Sequence, residues 1–263
     1  MPALFDTHCH LNLSAFNDDV DEVIARAASC GVEHFIVPGI DIPSSLIAIQ
    51  LAEKYDQIYA SIGIHPSESL NATDQSFEDL EKMAKNKKVV AIGEIGLDFY
   101  HPENPSEIVQ VEALNRQLQL ASNLGLPVIL HSRNALKQMI IILRNHSSNY
   151  PTLSGSLHAF EGSVEDAREA IELGYSIGIG GPVTYQNAKD KHALARDLAI
   201  GYLLLETDAP FLAPSRHRQE RNEPSYLPII ATRIAELKHL SFEEVATTTS
   251  QNATQLFLRR KSV

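Results

Sequence analysis

Histidines and carboxylates recur at the ends of short apolar segments along the whole sequence. The residues of this kind that could bind metal ions are His8, His10, Glu94, His131, His158 and Asp208. Imidazole nitrogens and carboxylate oxygens are the ligands that proteins use for zinc and manganese, and this ligand set suits magnesium less well. The pattern therefore predicts a hydrolase that depends on divalent metal ions.

His8 and His10 follow the first apolar run and are two residues apart. On a strand this spacing places both imidazoles on one face, where they can hold one ion, while Cys9 points the other way. The alternative is a pair of buried histidines that are satisfied by hydrogen bonds. Asp6 shares their face, and we predict that it fixes the tautomer of one imidazole.

Glu94 lies inside an apolar strand, where an unpaired carboxylate would be unfavourable. We predict that Glu94 bridges two ions, and the alternative is an ion pair with Arg133 or another base. His131 and His158 end two later strands. A single strand histidine is more often structural, but together with Glu94 these two form a second set of ligands.

Asp208 follows the last apolar run and precedes Ala209-Pro210. A carboxylate there can bind metal and also accept a proton from the attacking water, and we predict both roles. Glu206 is a rival on the same face, although its deeper position favours a core role.

His65 and Arg133 face the same predicted site and suit the binding of anionic substrate oxygens. A structural role is an equal alternative for each, because an arginine near a metal site can also hold a ligand carboxylate. Asp98 and His101 are weaker candidates for substrate contacts, and solvated loop positions are an equal alternative for both.

Strand-like and helix-like segments alternate along the chain, which predicts an α/β protein. Several strands are nearly continuous in apolar character, as in parallel sheets that are covered on both faces. The predicted strands are Ala3–His8, His34–Gly39, Ile58–His65, Val89–Leu97, Pro127–His131, Gly155–Phe160, Tyr175–Gly180 and Tyr202–Thr207. Pro224–Lys238 and Ser241–Phe257 are predicted as closing helices, and Ser241-Phe242-Glu243-Glu244 has the form of a capping box. Gly31, Gly125 and Gly174 stand where helix C-caps are expected.

The candidate ligands fall at the carboxyl ends of five different strands, which decides between two α/β architectures. A closed (β/α)8 TIM-type barrel brings such strand ends around one pocket, whereas an open doubly wound sheet does so less readily. No glycine-rich phosphate loop follows the first strand. We therefore predict a single barrel domain over residues 1–263.

The composition limits the class of protein further. A chain of 263 residues with 44% hydrophobic content can bury a large core without disulfides, and only Cys9 and Cys30 are present. No apolar stretch reaches the ~18 residues that cross a bilayer, and no signal peptide is evident at the amino terminus. These features predict a cytoplasmic protein without a membrane partner.

The formal net charge of −11 argues against long contacts along a nucleic acid backbone. It does not exclude a phosphate-bearing substrate, because two divalent cations would add about four positive charges at the site. No aromatic stacking stripe is evident. DNA, if it is the substrate, is therefore expected as single strands or frayed ends.

The motifs taken together, in order and over nearly the whole chain, resemble the TatD-type deoxyribonuclease family of the amidohydrolase superfamily. They are Asp6-Thr7-His8-Cys9-His10-Leu11, Gly63-Ile64-His65-Pro66, Gly93-Glu94-Ile95-Gly96-Leu97-Asp98, Pro127-Val128-Ile129-Leu130-His131-Ser132-Arg133, Leu205-Glu206-Thr207-Asp208-Ala209-Pro210, Arg221-Asn222-Glu223-Pro224 and Asn252-Ala253-Thr254.

The resemblance implies a two-metal phosphodiesterase that acts on DNA ends. Its metal positions are His8, His10 and Asp208 for one ion and His131 and His158 for the other, with Glu94 as the bridge. The chain departs from the family pattern at Ala159, where cysteine is usual, and at Glu161, where a small hydroxyl residue is usual.

Two other functions remain open from the sequence. The same metals could hydrolyse an amide, ester or lactone, and inhibition by a single-stranded oligonucleotide would favour the nuclease. A metal-binding scaffold that has lost catalysis is the third reading, and metal retained without turnover would support it. The sequence does not fix the native metal or the oligomeric state, for which a monomer is plausible.

Overall fold

The computed structural model describes residues 2–259, in which eight strands alternate with helices. The strands are β1 (Leu4–Asp6), β2 (Val32–Pro38), β3 (Ile58–Ile62), β4 (Val89–Asp98), β5 (Val128–Arg133), β6 (Gly155–Leu157), β7 (Tyr175–Ile179) and β8 (Leu203–Leu205). The α-helices are α1 (Val20–Ser29), α2 (Ile42–Lys54), α3 (Asp74–Met83), α4 (Glu107–Leu124), α5 (Leu136–Asn149), α6 (Val164–Glu172), α7 (Lys189–Asp197), α8 (Leu227–Lys238) and α9 (Phe242–Ala253).

The strands form one parallel sheet in the order of the sequence, from β1 to β8. The sheet curls so that the segments that follow its first and last strands meet. The Thr7 amide donates to the Leu205 carbonyl at 3.0 Å, and the Asp208 amide donates to the His8 carbonyl at 2.8 Å. These bonds form the seam of a (β/α)8 barrel, and the predicted fold is confirmed.

Asp6 lies at this seam and does not have the role predicted for it. Its carboxylate accepts hydrogen bonds from the Thr207 amide at 3.0 Å and from the Thr207 hydroxyl at 2.5 Å. It also accepts from the His8 backbone amide at 3.2 Å, and within residues 2–259 no imidazole hydrogen-bonds to it. Burial raises the pKa of Asp6 to about 8, against the opposing effect of the Thr207 hydrogen bonds. The prediction that Asp6 fixes an imidazole tautomer is therefore wrong, and Asp6 joins the two ends of the sheet instead.

The helix boundaries follow from local signals in the sequence. Ser241 and Glu244 form the predicted capping box at the start of α9, where each side chain accepts the other residue's amide hydrogen. Gly125 ends α4 in the left-handed conformation, with φ 64°, as a glycine after a helix commonly does. The last helix continues as a short π-helical turn over Thr254–Leu258.

Four strands end two or more residues earlier than predicted, in each case at the end that carries site residues. β1 ends at Asp6 and not at His8, β3 at Ile62 and not at His65, β6 at Leu157 and not at Phe160, and β8 at Leu205 and not at Thr207. The residues beyond these ends bond to other segments, as the His65 amide does to the Ile40 carbonyl at 2.8 Å, or adopt positive φ, as Ala159 does at 44°. Apolar periodicity cannot detect this change, because the side chains stay buried.

The core has two parts. Most helices pack on the outer faces of the strands, and a separate cluster collects Phe5, Ile36, Ile129 and Leu204 from strands spread around the ring. Phe257 from the carboxyl-terminal turn packs into this inner cluster. The barrel interior is therefore filled by side chains and forms a rigid support for the residues at its mouth. No helix within residues 2–259 is long and apolar enough to cross a membrane.

Candidate metal centre

Glu94 stands at the centre of a group of histidines at the carboxyl ends of the strands. Its Oε2 atom lies 3.3 Å from His8 Nε2 and 3.5 Å from His10 Nε2. Its Oε1 atom lies 2.9 Å from His131 Nδ1 and 2.8 Å from His158 Nε2. The two oxygens of one carboxylate therefore face two different histidine pairs. The alternative ion pair between Glu94 and Arg133 does not form.

An irregularity in β4 aims Glu94 into this group. The register between β4 and β5 shifts between Ile92 and Ile95, and the Glu94 amide donates to the Gly39 carbonyl at 2.9 Å. Such a bulge changes the direction of a side chain at a barrel rim. Gly96 has φ 149°, and a Cβ atom there would lie 1.9 Å from the His131 carbonyl oxygen. Glycine at this position lets β5 carry His131 close to Glu94.

His8, His10 and Asp208 come together from the two sides of the seam. His8 Nε2 and His10 Nε2 are 3.1 Å apart. Asp208 Oδ1 lies 3.7 Å from His8 Nε2 and 3.5 Å from His10 Nε2. The predicted grouping is present, although His8 and His10 lie beyond β1 and not on it. Asp208 adopts a positive φ of 57°, and the hydrogen bond from its backbone amide to the His8 carbonyl holds it in place.

His131 and His158 form the other pair, with 3.1 Å between His131 Nδ1 and His158 Nε2. The far nitrogen of His131, Nε2, lies 3.3 Å from Asp98 Oδ2. A carboxylate on the outer nitrogen of a metal-binding histidine fixes the ring and its tautomer. Asp98 is a weaker candidate from the sequence, where a solvated loop position is an equal alternative, but it is only 3% exposed and orients His131.

The loop after His158 carries both departures from the family pattern. The Ala159 amide donates to the buried Glu206 carboxylate at 2.5 Å, and the Lys191 ammonium group donates to the Phe160 carbonyl. Burial raises the pKa of Glu206 to about 7. Glu206 therefore supports the His158 loop from below, while Glu161 is exposed.

His65 and Arg133 border the group on one side. The His65 ring centroid lies 4.5 Å from that of His131, and its Nε2 is 3.7 Å from Glu94 Oε1. Arg133 lies farther out, where its guanidinium covers the Tyr100 ring at 3.9 Å and approaches His101 Nε2 at 3.2 Å. Within residues 2–259 no carboxylate forms an ion pair with Arg133, so its charge is available to a ligand.

The electrostatics of the two histidine pairs differ. Burial lowers the pKa of His8 to about 4. Burial has the same effect on His158, but the adjacent Glu94 carboxylate outweighs it and raises the pKa of His158 to about 9. Burial acts to raise the pKa of Glu94. The surrounding histidines, chiefly His158 and His8, outweigh burial and hold this pKa well below its usual value. Glu94 is therefore an anion at neutral pH.

The donor set fits divalent cations. In three sets of three residues, the potential ligand atoms all lie within 4.8 Å of one another. The sets are His8 with His10 and Glu94, His8 with His158 and Asp208, and His65 with Glu94 and His131. The Nδ1 atoms of His8, His10 and His158 are buried without a hydrogen-bond partner in the described chain. Several imidazoles packed around one carboxylate at 2.8–3.5 Å form a set of nitrogen and anionic oxygen ligands typical of metal sites.

A parallel barrel with such a donor set at the carboxyl ends of its strands defines a metal-dependent barrel hydrolase. Comparison with known proteins gives the family. Residues 5–258 match the family model described as TatD related DNase. The chain belongs to this family of metal-dependent hydrolases.

Individual relatives agree along nearly the full length. The chain is 41% identical over 254 residues to the uncharacterized metal-dependent hydrolase YabD of Bacillus subtilis, covering 97% of this chain and 98% of YabD. It is 36% identical over 265 residues to the 3′-5′ ssDNA/RNA exonuclease TatD of Cronobacter sakazakii, covering 98% and 99%. The crystal structure of YjjV, a TatD homologue from Escherichia coli K12, matches with a TM-score of 0.92 at 34% identity, covering 97% and 98%.

Proposed function

We propose that this chain, acting as one domain, is a two-metal phosphodiesterase that removes nucleotides from the 3′ ends of single-stranded nucleic acid. The observation that carries the proposal is the position of Glu94, whose two oxygens face different histidine pairs. One carboxylate can thus serve two cations. The name of the Cronobacter relative, a 3′-5′ ssDNA/RNA exonuclease, supports the choice of substrate and polarity.

His8, His10 and Asp208 would hold one cation and His131 and His158 the other, with Glu94 shared. When bound, divalent cations supply Lewis acidity that activates water and offsets phosphate charge. Asp208 accepts the proton of the attacking water. Burial acts to raise its pKa, but the hydrogen bond from His10 and the nearby His8 lower it, so Asp208 is ionised at neutral pH.

His65 and Arg133 position the phosphate. The Ser67 amide donates to His65 Nδ1 at 3.2 Å, which leaves the ring proton on Nε2, the atom that faces the site. Burial lowers the pKa of His65 to about 3, so the ring is neutral. This tautomer makes His65 a hydrogen-bond donor to a phosphate oxygen and a poor metal ligand. Arg133 supplies a charged donor farther out.

Metal affinity is expected to rise with pH. An imidazole must be neutral to bind a metal ion, whereas the pKa of about 9 keeps a second proton on His158 at pH 7 in the metal-free protein. Burial acts to lower the pKa of His131, the other ligand of the same ion, but hydrogen bonds to Asp98 and Glu94 outweigh burial and raise this pKa. An ion that binds this pair displaces their excess protons, so its affinity should rise by at least about tenfold per pH unit and level off above the pKa of His158. His8, with a pKa of about 4, releases no proton.

Calorimetric titration with Mn²⁺ in buffers of different ionisation enthalpy measures this proton release. Titrations between about pH 6 and about pH 8 should show proton release when the ion assigned to His131 and His158 binds. Binding of both ions without any release of protons would contradict the assignment of His158.

The function itself is tested with single-stranded DNA that is labelled at either end. We expect chelated protein to be inactive, and add-back of Mn²⁺, Mg²⁺ or Zn²⁺ to restore the stepwise loss of nucleotides from the 3′ end. A blocked 3′ end and a covalently closed circle of the same sequence are the matched substrate controls. Cleavage of the circle, or loss of nucleotides from the 5′ end, would refute the proposed polarity. Metal binding without cleavage of any DNA would refute the nuclease.

A further inference from the structure

An exposed aromatic ring lies directly against the candidate metal centre. Phe211 follows Asp208 by three residues, its side chain is 52% exposed, and its ring centroid is 5.9 Å from that of His10. The planes of the two rings are 74° apart, so His10 does not stack on the face of Phe211. A large apolar side chain left open beside a polar site is unusual, because burial would otherwise stabilise it.

The backbone holds Phe211 firmly in this exposed position. The Phe211 amide donates to the Asp208 carbonyl at 2.8 Å. The side-chain amide of Asn222, which is fully buried, donates to the Phe211 carbonyl at 2.5 Å and to the Thr207 carbonyl at 2.7 Å. The ring is therefore presented by a fixed turn, and the side chain loses little freedom when a ligand covers it.

Two other exposed aromatic residues show why Phe211 is distinctive. Tyr100, which is 53% exposed, already has the Arg133 guanidinium over its ring at 3.9 Å. Tyr202, which is 47% exposed, directly precedes β8 and so lies at the opposite end of the barrel from the site. Phe211 combines an open ring with contact to a candidate metal ligand.

We propose that Phe211 stacks a nucleobase of the substrate next to the scissile phosphate. This inference rests on the proposed function. The Phe211 ring contacts His10, a candidate metal ligand, so a base attached to a phosphate held at the metal centre would be within reach of this ring. Stacking on an aromatic face tolerates every base, which suits an enzyme that removes successive nucleotides whatever their sequence. It also gives this acidic protein a source of affinity that does not depend on a basic surface.

The test pairs a change in the protein with a change in the substrate. Phe211→Ala, Phe211→Trp and wild type are compared on a single-stranded oligonucleotide and on the same oligonucleotide with abasic residues at its two terminal positions. Phe211→Ala should lower kcat/KM on the normal substrate by about tenfold, chiefly through KM. Phe211→Ala should leave kcat/KM on the abasic substrate unchanged. Phe211→Trp should have a kcat/KM on the normal substrate close to that of wild type. Tyr202→Ala is the matched control and should resemble wild type on both substrates.

The outcomes separate the two proposals. If wild type degrades the normal oligonucleotide and Phe211→Ala lowers kcat/KM equally on both substrates, or on neither, base stacking is refuted while the nuclease stands. If wild type degrades neither substrate with Mn²⁺, Mg²⁺ or Zn²⁺, the proposed function fails and stacking fails with it. Loss of activity that Phe211→Trp does not restore would also refute stacking.

Discussion

Replacing Glu94 by glutamine is expected to reduce turnover by about 1,000-fold or more, the scale seen when a directly acting catalytic group is removed. The glutamine amide keeps one carbonyl oxygen but has an NH₂ group in place of the second oxygen, so it cannot bridge two metal ions. The four histidines within 3.5 Å of the Glu94 oxygens would lose their shared anion. The ion content after dialysis, measured by elemental mass spectrometry, should fall together with activity.

Glu161→Gln is the matched control for Glu94→Gln, because it removes the same charge from an exposed position on the His158 loop. It should retain its ions and most of its turnover. Thermal unfolding of both variants shows whether the fold survives. A folded Glu94→Gln protein that keeps both its ions and its turnover would contradict the bridging role.

Replacing Asp208 by asparagine is expected to lower kcat by about 100-fold to 10,000-fold, the range for loss of a general base. Asparagine keeps the side-chain shape and accepts the left-handed backbone that Asp208 adopts, with φ 57°, better than alanine does. The amide cannot take a proton from water. KM for DNA should change little, since phosphate binding is assigned to His65 and Arg133.

Glu206→Gln distinguishes Asp208 from its rival. Glu206 accepts the Ala159 amide and lies beneath the His158 loop, so its amide variant should reduce activity less than Asp208→Asn does. Measurement of kcat for both variants decides the assignment. If Glu206→Gln abolished turnover and Asp208→Asn did not, the role of base would pass to Glu206.

Local signals in the sequence predict the architecture well. The alternation of strands and helices, the capping box at Ser241 and the helix-ending glycine at Gly125 all appear in the structure as predicted. Each depends on residues a few positions apart in the chain. The set of residues that the structure gathers at the mouth was also predictable, because parallel strands deliver their carboxyl ends to one edge.

Other features depend on contacts between distant parts of the chain, which a single sequence does not reveal. The partner of Asp6 is Thr207, 201 residues away, so its role at the seam was not visible. The bulge that turns Glu94 inwards arises from pairing with β5. Asp98 resembled a loop residue until the fold placed it against His131. Likewise, no aromatic stripe marks Phe211 in the sequence, because the turn held by Asn222 brings it to the site.

The seam has a consequence for how the protein is made. One side of the centre comes from the first ten residues and the other from Asp208, so a ribosome-bound chain carries its first two histidines long before their carboxylate partner exists. Such a chain has only some of the proposed metal ligands and, by our assignment, lacks the base Asp208. By the same assignment, activity begins only when the last strand docks beside the first. An ion bound by residues from both ends would hold them together, so metal binding would stabilise the closed barrel as well as supply its chemistry.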